Sequence, residues 1–339
     1  MLATSSLLQG DQMKRRQLIG LLGGTAAWPL AALGQQVSSR IVCVLGPGSL
    51  ESSRTLFAPA QRRLAEMGYV EGRNLVVAYR GADNQEDRLA ALVGDLVQRR
   101  VDAIVALGGP PIAAAKAATT SIPIIFFTGY DPVVSGFVAS LSRPGGNVTG
   151  ISVLNQQVLP KRLEMLRELL PTAKSIGYIY SASNLVSGYD RFLKDLESAA
   201  EALGVKLLPV EVRRVDDFEA AFATIASARS HALLLSPDTL IFRNREVLLD
   251  LAVRHKIPTA YPIREFAAAG GLVSYGTNYP EAYAQVGEYL GRVLNGEKPE
   301  DLPVRQVTTL ELVINLKTAK ALGITVPASL LARADEVIE

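Results

Sequence analysis

Residues 102–128 read DAIVALGGPPIAAAKAATTSIPIIFFT. Two short apolar runs, AIVAL and IPIIFF, flank a stretch of helix length. Neither run alternates apolar with polar residues. Strands buried on both faces have this composition, and a sheet covered by helices on both faces is characteristically parallel. We therefore expect Asp102–Leu107 as one strand, Ile112–Thr119 as a helix and Pro123–Phe127 as the next strand.

The same alternation extends outward. Before this stretch come a strand at Arg40–Leu45 and a helix at Arg54–Met67, with Leu56, Ala60, Leu64 and Met67 on one face. A strand at Asn74–Tyr79 and a helix at Gln85–Arg99 follow. After it, SRPGGNVTGIS (142–152) gathers the densest cluster of chain breakers and reads as a loop-rich join. The alternation then restarts. Strands are expected at Ser175–Tyr180, Lys206–Val210, Ala232–Leu235, Thr259–Tyr261 and Leu272–Tyr275. Helices are expected at Leu159–Leu170, Tyr189–Leu203, Val215–Ala228, Arg243–His255 and Tyr279–Leu294. Two α/β units joined near 145–150 give an α/β fold of two doubly wound parallel-sheet lobes. In the tail, Leu310–Asn315 reads as a further strand, and Leu316–Leu322 and Ala328–Val337 as short helices.

The other end of the chain has a different character. MKRRQLIGLLGGTAAWPLAALGQQ (13–36) places Lys14, Arg15 and Arg16 before an apolar run, Leu18–Leu33, that glycines and Pro29 interrupt. The run is shorter than the roughly 20 residues a spanning helix needs. A charged front, an apolar middle and the small residues of Ala32-Leu33-Gly34 have the layout of an export signal, with cleavage expected before Gln35. The adjacent arginines point to the twin-arginine route, the alternative being an ordinary secretory leader. No cysteine lies near the cut, so a lipid anchor is not expected. The formal charge of +2 belongs to this leader, which carries three basic residues and Asp11. The remainder is neutral and has no field to steer nucleic acid or an anionic membrane. Cys43, the one cysteine, cannot form an intrachain disulfide, and its neighbours Ile41, Val42, Val44 and Leu45 place it in a buried strand.

Open parallel sheets bind ligands outside the carboxyl ends of their strands. Those ends carry Gly46-Pro47-Gly48-Ser49, Gly108-Gly109-Pro110-Pro111, Thr128-Gly129-Tyr130-Asp131-Pro132, Ser181-Ala182-Ser183-Asn184, Ser236-Pro237-Asp238 and Tyr261-Pro262. Tyrosines recur there, at 130, 180, 261 and 275. They suit an apolar-walled site with a few polar anchors, or simply strand ends with the ring inward and the hydroxyl in water. Asp131 and Asp238 have the chemistry to receive an ammonium group, and equally the position to cap the next helix.

Other chemistries find little support. Gly46-Pro47-Gly48 imitates a dinucleotide fingerprint, but Glu51 stands where the third glycine belongs and would repel a pyrophosphate. No phosphate loop and no G-x-S-x-G turn is present. His231 and His255 have neither a nucleophile nor metal-ligand spacing around them. We expect no catalytic residue, no metal and no cofactor.

Several long segments carry a resemblance. They are RRQLIGLLGG…WPLAA, MGYVEGRNL (67–75), KAATTSIPI (116–124), GYDPVVSGFVASLSRPGGNVTG (129–150), REFAAAGGLVSYG (264–276) and ELVINLKTAKALGITVPASLLARADEVIE (311–339). Together they resemble the ABC-transporter substrate-binding proteins of the tryptophan/tyrosine-binding branch. The resemblance implies a type I periplasmic-binding-protein fold, with lobe one at 37–148 plus 276–307 and lobe two at 149–275 plus 308–339. Three crossover strands would join the lobes, and hinge closure would trap a small ligand between them. Carried over by position, Ser49, Gly109, Thr128 and Asp131 of lobe one and Asn184, Asp238 and Tyr261 of lobe two would bind it. The implied partner is a permease in the inner membrane, with no nucleic acid and no membrane insertion once the leader is removed. The implied location is the periplasm, and the implied cargo an amino acid or a related aromatic solute. One departure is Gly109-Pro110-Pro111, where members often carry Thr-Pro; the missing hydroxyl removes one donor for a carboxylate. The competing readings are a periplasmic sensor that feeds a receptor, a cytoplasmic regulator on the same fold, and an α/β enzyme.

Overall fold

The first lobe is built by strict alternation. It runs β1 (Arg40–Gly46), α1 (Leu50–Glu66), β2 (Leu75–Gly81), α2 (Arg88–Gln98), β3 (Ala103–Leu107), α3 (Gly109–Ala118), β4 (Ile124–Thr128) and β5 (Val148–Val153). The structure is a computed structural model that describes residues 39–83, 85–153, 157–181 and 189–339. The expected leader with its cleavage point at Gly34-Gln35, and the expected site residue Asn184, lie outside the described residues.

The second run is α4 (Leu159–Leu169), β6 (Ser175–Ser181), α5 (Tyr189–Ala202), β7 (Lys206–Val212), α6 (Asp217–Ser227), β8 (Ala232–Leu235), α7 (Thr239–Arg243), α8 (Arg245–His255), β9 (Thr259–Tyr261), α9 (Arg264–Ala268) and β10 (Val273–Thr277). The chain ends with α10 (Tyr279–Leu294), β11 (Arg305–Val307), β12 (Leu310–Asn315), α11 (Leu316–Ala321), α12 (Ala328–Leu331) and β13 (Glu336–Ile338).

Two sheets result. The first has the order β11-β5-β4-β3-β1-β2, with every pair parallel. The second has the order β13-β12-β10-β9-β8-β6-β7, in which only β10 and β12 run antiparallel. Each central strand feeds two cores in turn. Val42, Val44, Val105, Ile125 and Phe127 face α1 and α10, where they meet Phe57, Leu64, Val286 and Leu290. Cys43, Leu45, Ile104, Ile124 and Phe126 face α2 and α3, where they meet Val93, Leu96 and Ile112. Burying each large apolar side chain contributes about 1.5–3 kcal/mol, so a bare face would forfeit roughly half of the strands' stabilisation. That is why the unbroken runs AIVAL and IPIIFF require helices on both sides. Burial pushes the Cys43 thiol up to about 12, which keeps it protonated and inert at neutral pH.

The chain passes between the sheets three times: after β5, from β10 into α10, and from β11 into β12. The sequence reading, which contains neither α9 nor β11, differs from the structure at further points. The stretch read as loop-rich contains β5, which lies beside β4 in the first sheet. Its glycine hides a strand rather than breaking one, because a Cβ on Gly150 would lie 2.2 Å from the Phe126 carbonyl oxygen. The first crossing therefore follows Val153 instead of Gly145-Gly146, and we propose Val153 as the limit of the first lobe's opening segment. Of the helix expected at Ala328–Val337, only Ala328–Leu331 is helical. The Asp335 carboxylate accepts from the Leu312 N–H (2.8 Å) and its own N–H donates to the Leu312 carbonyl (2.9 Å), which seats β13 beside β12. The helix expected at Arg243–His255 is α8, which starts at Arg245, and the short helix α7 that ends just before it at Arg243 was not expected.

α10 brings the third segment of the chain onto α1 at very short range. A Cβ on Gly287 would lie 2.4 Å from the Ala60 carbonyl oxygen and 2.8 Å from its Cα. Gly94, in α2, has nothing within 4 Å of the same construction. Gly287→Ala is expected to lower the unfolding free energy by about 1–3 kcal/mol, through overpacking. Gly94→Ala is expected to raise it by about 0.5–1 kcal/mol, through lost chain entropy. Urea unfolding of the two variants checks both signs.

Candidate functional site

The site is built where strands end. In the second lobe, β8 runs out into Ser236-Pro237-Asp238, and Asp238 is the N-cap of α7. Its Oδ1 accepts from the Ile241 N–H at 3.0 Å, and the Ser236 hydroxyl donates to Oδ2. The backbone N–H groups of Ser181 and Leu240 also point at this carboxylate. Asp238 is only 5% exposed. Burial pushes its carboxyl up to about 6, against the pull of those four donors. A buried carboxylate that titrates near neutrality, rimmed by donors that favour its charged form, is a candidate functional group as well as a cap.

Several tyrosines lie within its electrostatic reach. Tyr178 and Tyr189 share a hydroxyl–hydroxyl hydrogen bond of 3.0 Å, and Tyr180 stacks beside both, with ring centroids 5.6 and 5.4 Å away. Burial raises the Tyr178 and Tyr189 hydroxyls, and the Asp238 charge adds to the effect in each. From the first lobe, Tyr130 feels the same carboxylate: burial raises its hydroxyl most, and the negative charge of Asp238 comes next. Tyr279, the first residue of α10, packs on Phe127 (5.5 Å) and on Phe242 (5.3 Å). Phe242 belongs to α7, so this pair links the lobes. Next to it, the Arg243 guanidinium lies so near Gly48 that a Cβ there would be 2.4 Å from Nη1. One short helix, capped by Asp238, thus carries both an aromatic ring and a cation onto the opposite lobe.

The sequence-predicted residues divide. Ser49 caps α1, accepting from the Ser52 N–H at 3.3 Å, beside the loop that Arg243 touches. Gly109 opens α3 behind Gly108, whose φ of 86° is a left-handed conformation that glycine tolerates. Pro110 and Pro111 have no N–H, so the first turn of α3 offers few donors. Thr128 is buried at the end of β4, and its hydroxyl accepts from the Tyr130 N–H at 3.1 Å. Asp131 is exposed and its carboxylate takes the N–H groups of Val133 (2.8 Å) and Val134 (3.1 Å). Tyr261 is a core residue, 1% exposed and stacked on Phe266 at 4.8 Å. Thr128, by its bond to Tyr130, adjoins the group that gathers at Asp238, whereas Asp131 and Tyr261 are engaged elsewhere.

Sequence reasoning passed over Tyr178, Tyr189, Tyr279, Phe242 and Arg243. Tyr279 was accessible in principle: it is the first helical residue after the strand Val273–Thr277. Tyr178 lay inside a run read as plain strand. Nothing local marks Phe242, which depends on how the lobes meet. Among the described residues no cluster of three or more His, Cys, Asp or Glu is placed to hold a metal, and no helix is long and apolar enough to cross a membrane.

A family model described as ABC transporter substrate binding protein matches residues 42–338. A tyrosine-binding protein of Clostridioides difficile is 30% identical over 274 residues, which is 81% of this chain and 77% of that protein. A Streptococcus pneumoniae ABC domain solved in complex with L-Trp superposes with a TM-score of 0.79 at 27% identity, over 89% of this chain and 100% of that one. A conserved domain protein of Vibrio cholerae gives a TM-score of 0.80 at 28% identity, over 88% of this chain and all of its own.

Because the folded-state pKa of Asp238 is raised, the folded protein holds this proton more tightly than the unfolded chain does. Its contribution to stability is full below the unfolded value near 4 and is lost as pH rises through about 6. Asp238→Asn removes the titration. Its unfolding free energy relative to wild type is expected to fall by about 2 kcal/mol between pH 7.5 and pH 4. Parallel urea titrations of the two proteins across that range check the change.

Proposed function

We propose, because the chain belongs to the ABC transporter substrate-binding protein family, that it captures an aromatic α-amino acid between its lobes and delivers it to a membrane permease. The observation that carries this reading is the buried Asp238 carboxylate, whose charge is felt by Tyr130 of the first lobe and by Tyr178 and Tyr189 of the second. An ammonium group is the natural guest of a carboxylate held ionised in an apolar wall. Rings at 130, 180, 189 and 279 supply flat walls for an aromatic side chain. The similarity to a tyrosine-binding protein and to a domain crystallised with L-Trp supports the same ligand class.

Capture proceeds by closure. A ligand seated on Asp238 and the tyrosines of the second lobe gains Tyr130 and Tyr279 when the first lobe folds over it. Closure is favoured only by contacts that the closed form alone makes. Phe242 on Tyr279 and Arg243 against Gly48 are interlobe contacts that support this reading. Export through the leader, residence in the periplasm and the absence of any chemical step on the ligand belong to the same proposal.

A thermal-shift screen of residues 35–339 against the amino acids and simple aromatic acids tests the class, since binding raises the melting temperature by mass action. L-tyrosine or L-tryptophan is expected to give the largest shift. Asp238→Ala is expected to weaken binding at least about tenfold by calorimetry. The wild-type affinity is expected to fall about tenfold per pH unit below about 6, as the free carboxyl protonates. An unchanged affinity in the alanine variant would remove Asp238 from the site.

A further inference from the structure

Arg162 lies in α4 on the same stripe as Leu159, Leu163 and Leu166, and it is completely buried. Its Nε donates to the Tyr275 carbonyl at 2.5 Å, and its Nη2 to the Pro262 carbonyl at 3.3 Å. Among the described residues its buried Nη1 has no hydrogen-bond partner and the side chain is in no ion pair. Gly276 makes room for the arrangement, since a Cβ there would be 3.1 Å from Nη2 and 1.9 Å from the Pro262 oxygen.

The placement is as informative as the missing partner. Pro262 follows the carboxyl end of β9, the edge at which open parallel sheets take ligands, and Tyr275 lies in the middle of the neighbouring strand β10. β10 then crosses into α10 through Asn278, so the guanidinium sits beneath the passage from one lobe to the other. The hydroxyls of Tyr279, Tyr178 and Tyr275 are its electrostatic neighbours, and two of these three also belong to the aromatic group near Asp238. Two carbonyls do not neutralise a guanidinium. A buried cation with an open donor is costly unless an anion completes it.

We propose that Arg162 is the carboxylate anchor of the site: its open Nη1 receives the ligand's carboxylate while Asp238 receives the ammonium. This rests on the amino-acid reading above and sharpens it. The site would select zwitterions, and an aromatic amine without a carboxylate would leave the cation unanswered.

The test pairs each amino acid with its decarboxylated form. Wild-type protein is titrated with L-tryptophan and tryptamine, and with L-tyrosine and tyramine, by calorimetry. We expect at least about a hundredfold preference for the amino acid, the scale of a charged buried hydrogen bond. Arg162→Gln, verified as folded by circular dichroism, is expected to lose that preference to within about threefold. Arg162→Lys keeps the charge with a shorter reach, and is expected to retain about tenfold; it serves if the glutamine variant does not fold. Equal losses for acid and amine, with the preference intact, would overturn the proposal and make Arg162 a packing residue. If wild-type protein binds no amino acid at all, the parent reading falls as well, and the two failures are thereby distinct.

Discussion

The structure turns on a carboxylate placed where water is scarce. Asp238 is held by the Ser236 hydroxyl and by the N–H groups of Ser181, Leu240 and Ile241, at the carboxyl edge of the second sheet. Burial alone would drive it neutral; the donors hold it close enough to ionisation that a cation can complete the change. The same bonds cap α7, and α7 supplies the ring and the guanidinium that reach the other lobe. On the proposed reading, helix capping and ligand reception are one arrangement. The polar group that starts the helix is also the one that faces the tyrosines.

The edge exists because of what the strands are made of. Central strands that feed apolar cores on both faces leave polar side chains only at their ends. Two sheets of this kind, joined by three passages of chain, set two polar edges within reach of each other. The tyrosines suit that border. Their rings extend the cores, and their hydroxyls give the edge hydrogen-bonding groups that are not ionised at neutral pH.

Much of this was legible in the sequence, and the exceptions have physical causes. Tyr279–Leu294 reads as a helix from its apolar period and folds over those residues. β5 was invisible because Gly150, a residue that weakens strands in isolation, is required by contact with Phe126. β13 was misread because its partner, β12, comes from a tertiary pairing rather than from a local pattern. In the site, Asp238 was legible as a carboxylate with two possible duties; its depth was not, because burial is a property of the assembled lobes. Tyr261 and Tyr130 occupy comparable places in the sequence, yet one stacks in the core on Phe266 and the other feels the charge of Asp238 in the opposite lobe. Arg162 did leave a trace, as a lone cation on the apolar stripe Leu159, Leu163, Leu166. Only the fold shows that two carbonyls hold it and that a third donor is open.

The most direct measurement of the central claim counts protons. Calorimetric titration of L-tryptophan or L-tyrosine at pH 6, repeated in buffers of different ionisation enthalpy, reports how many protons leave on binding. If the ammonium lands on Asp238, about half a proton is released per ligand at pH 6 and close to none at pH 8, because the carboxyl must ionise to receive it. Binding with no proton release at either pH would show that the ligand's charge is met elsewhere, and would contradict the account.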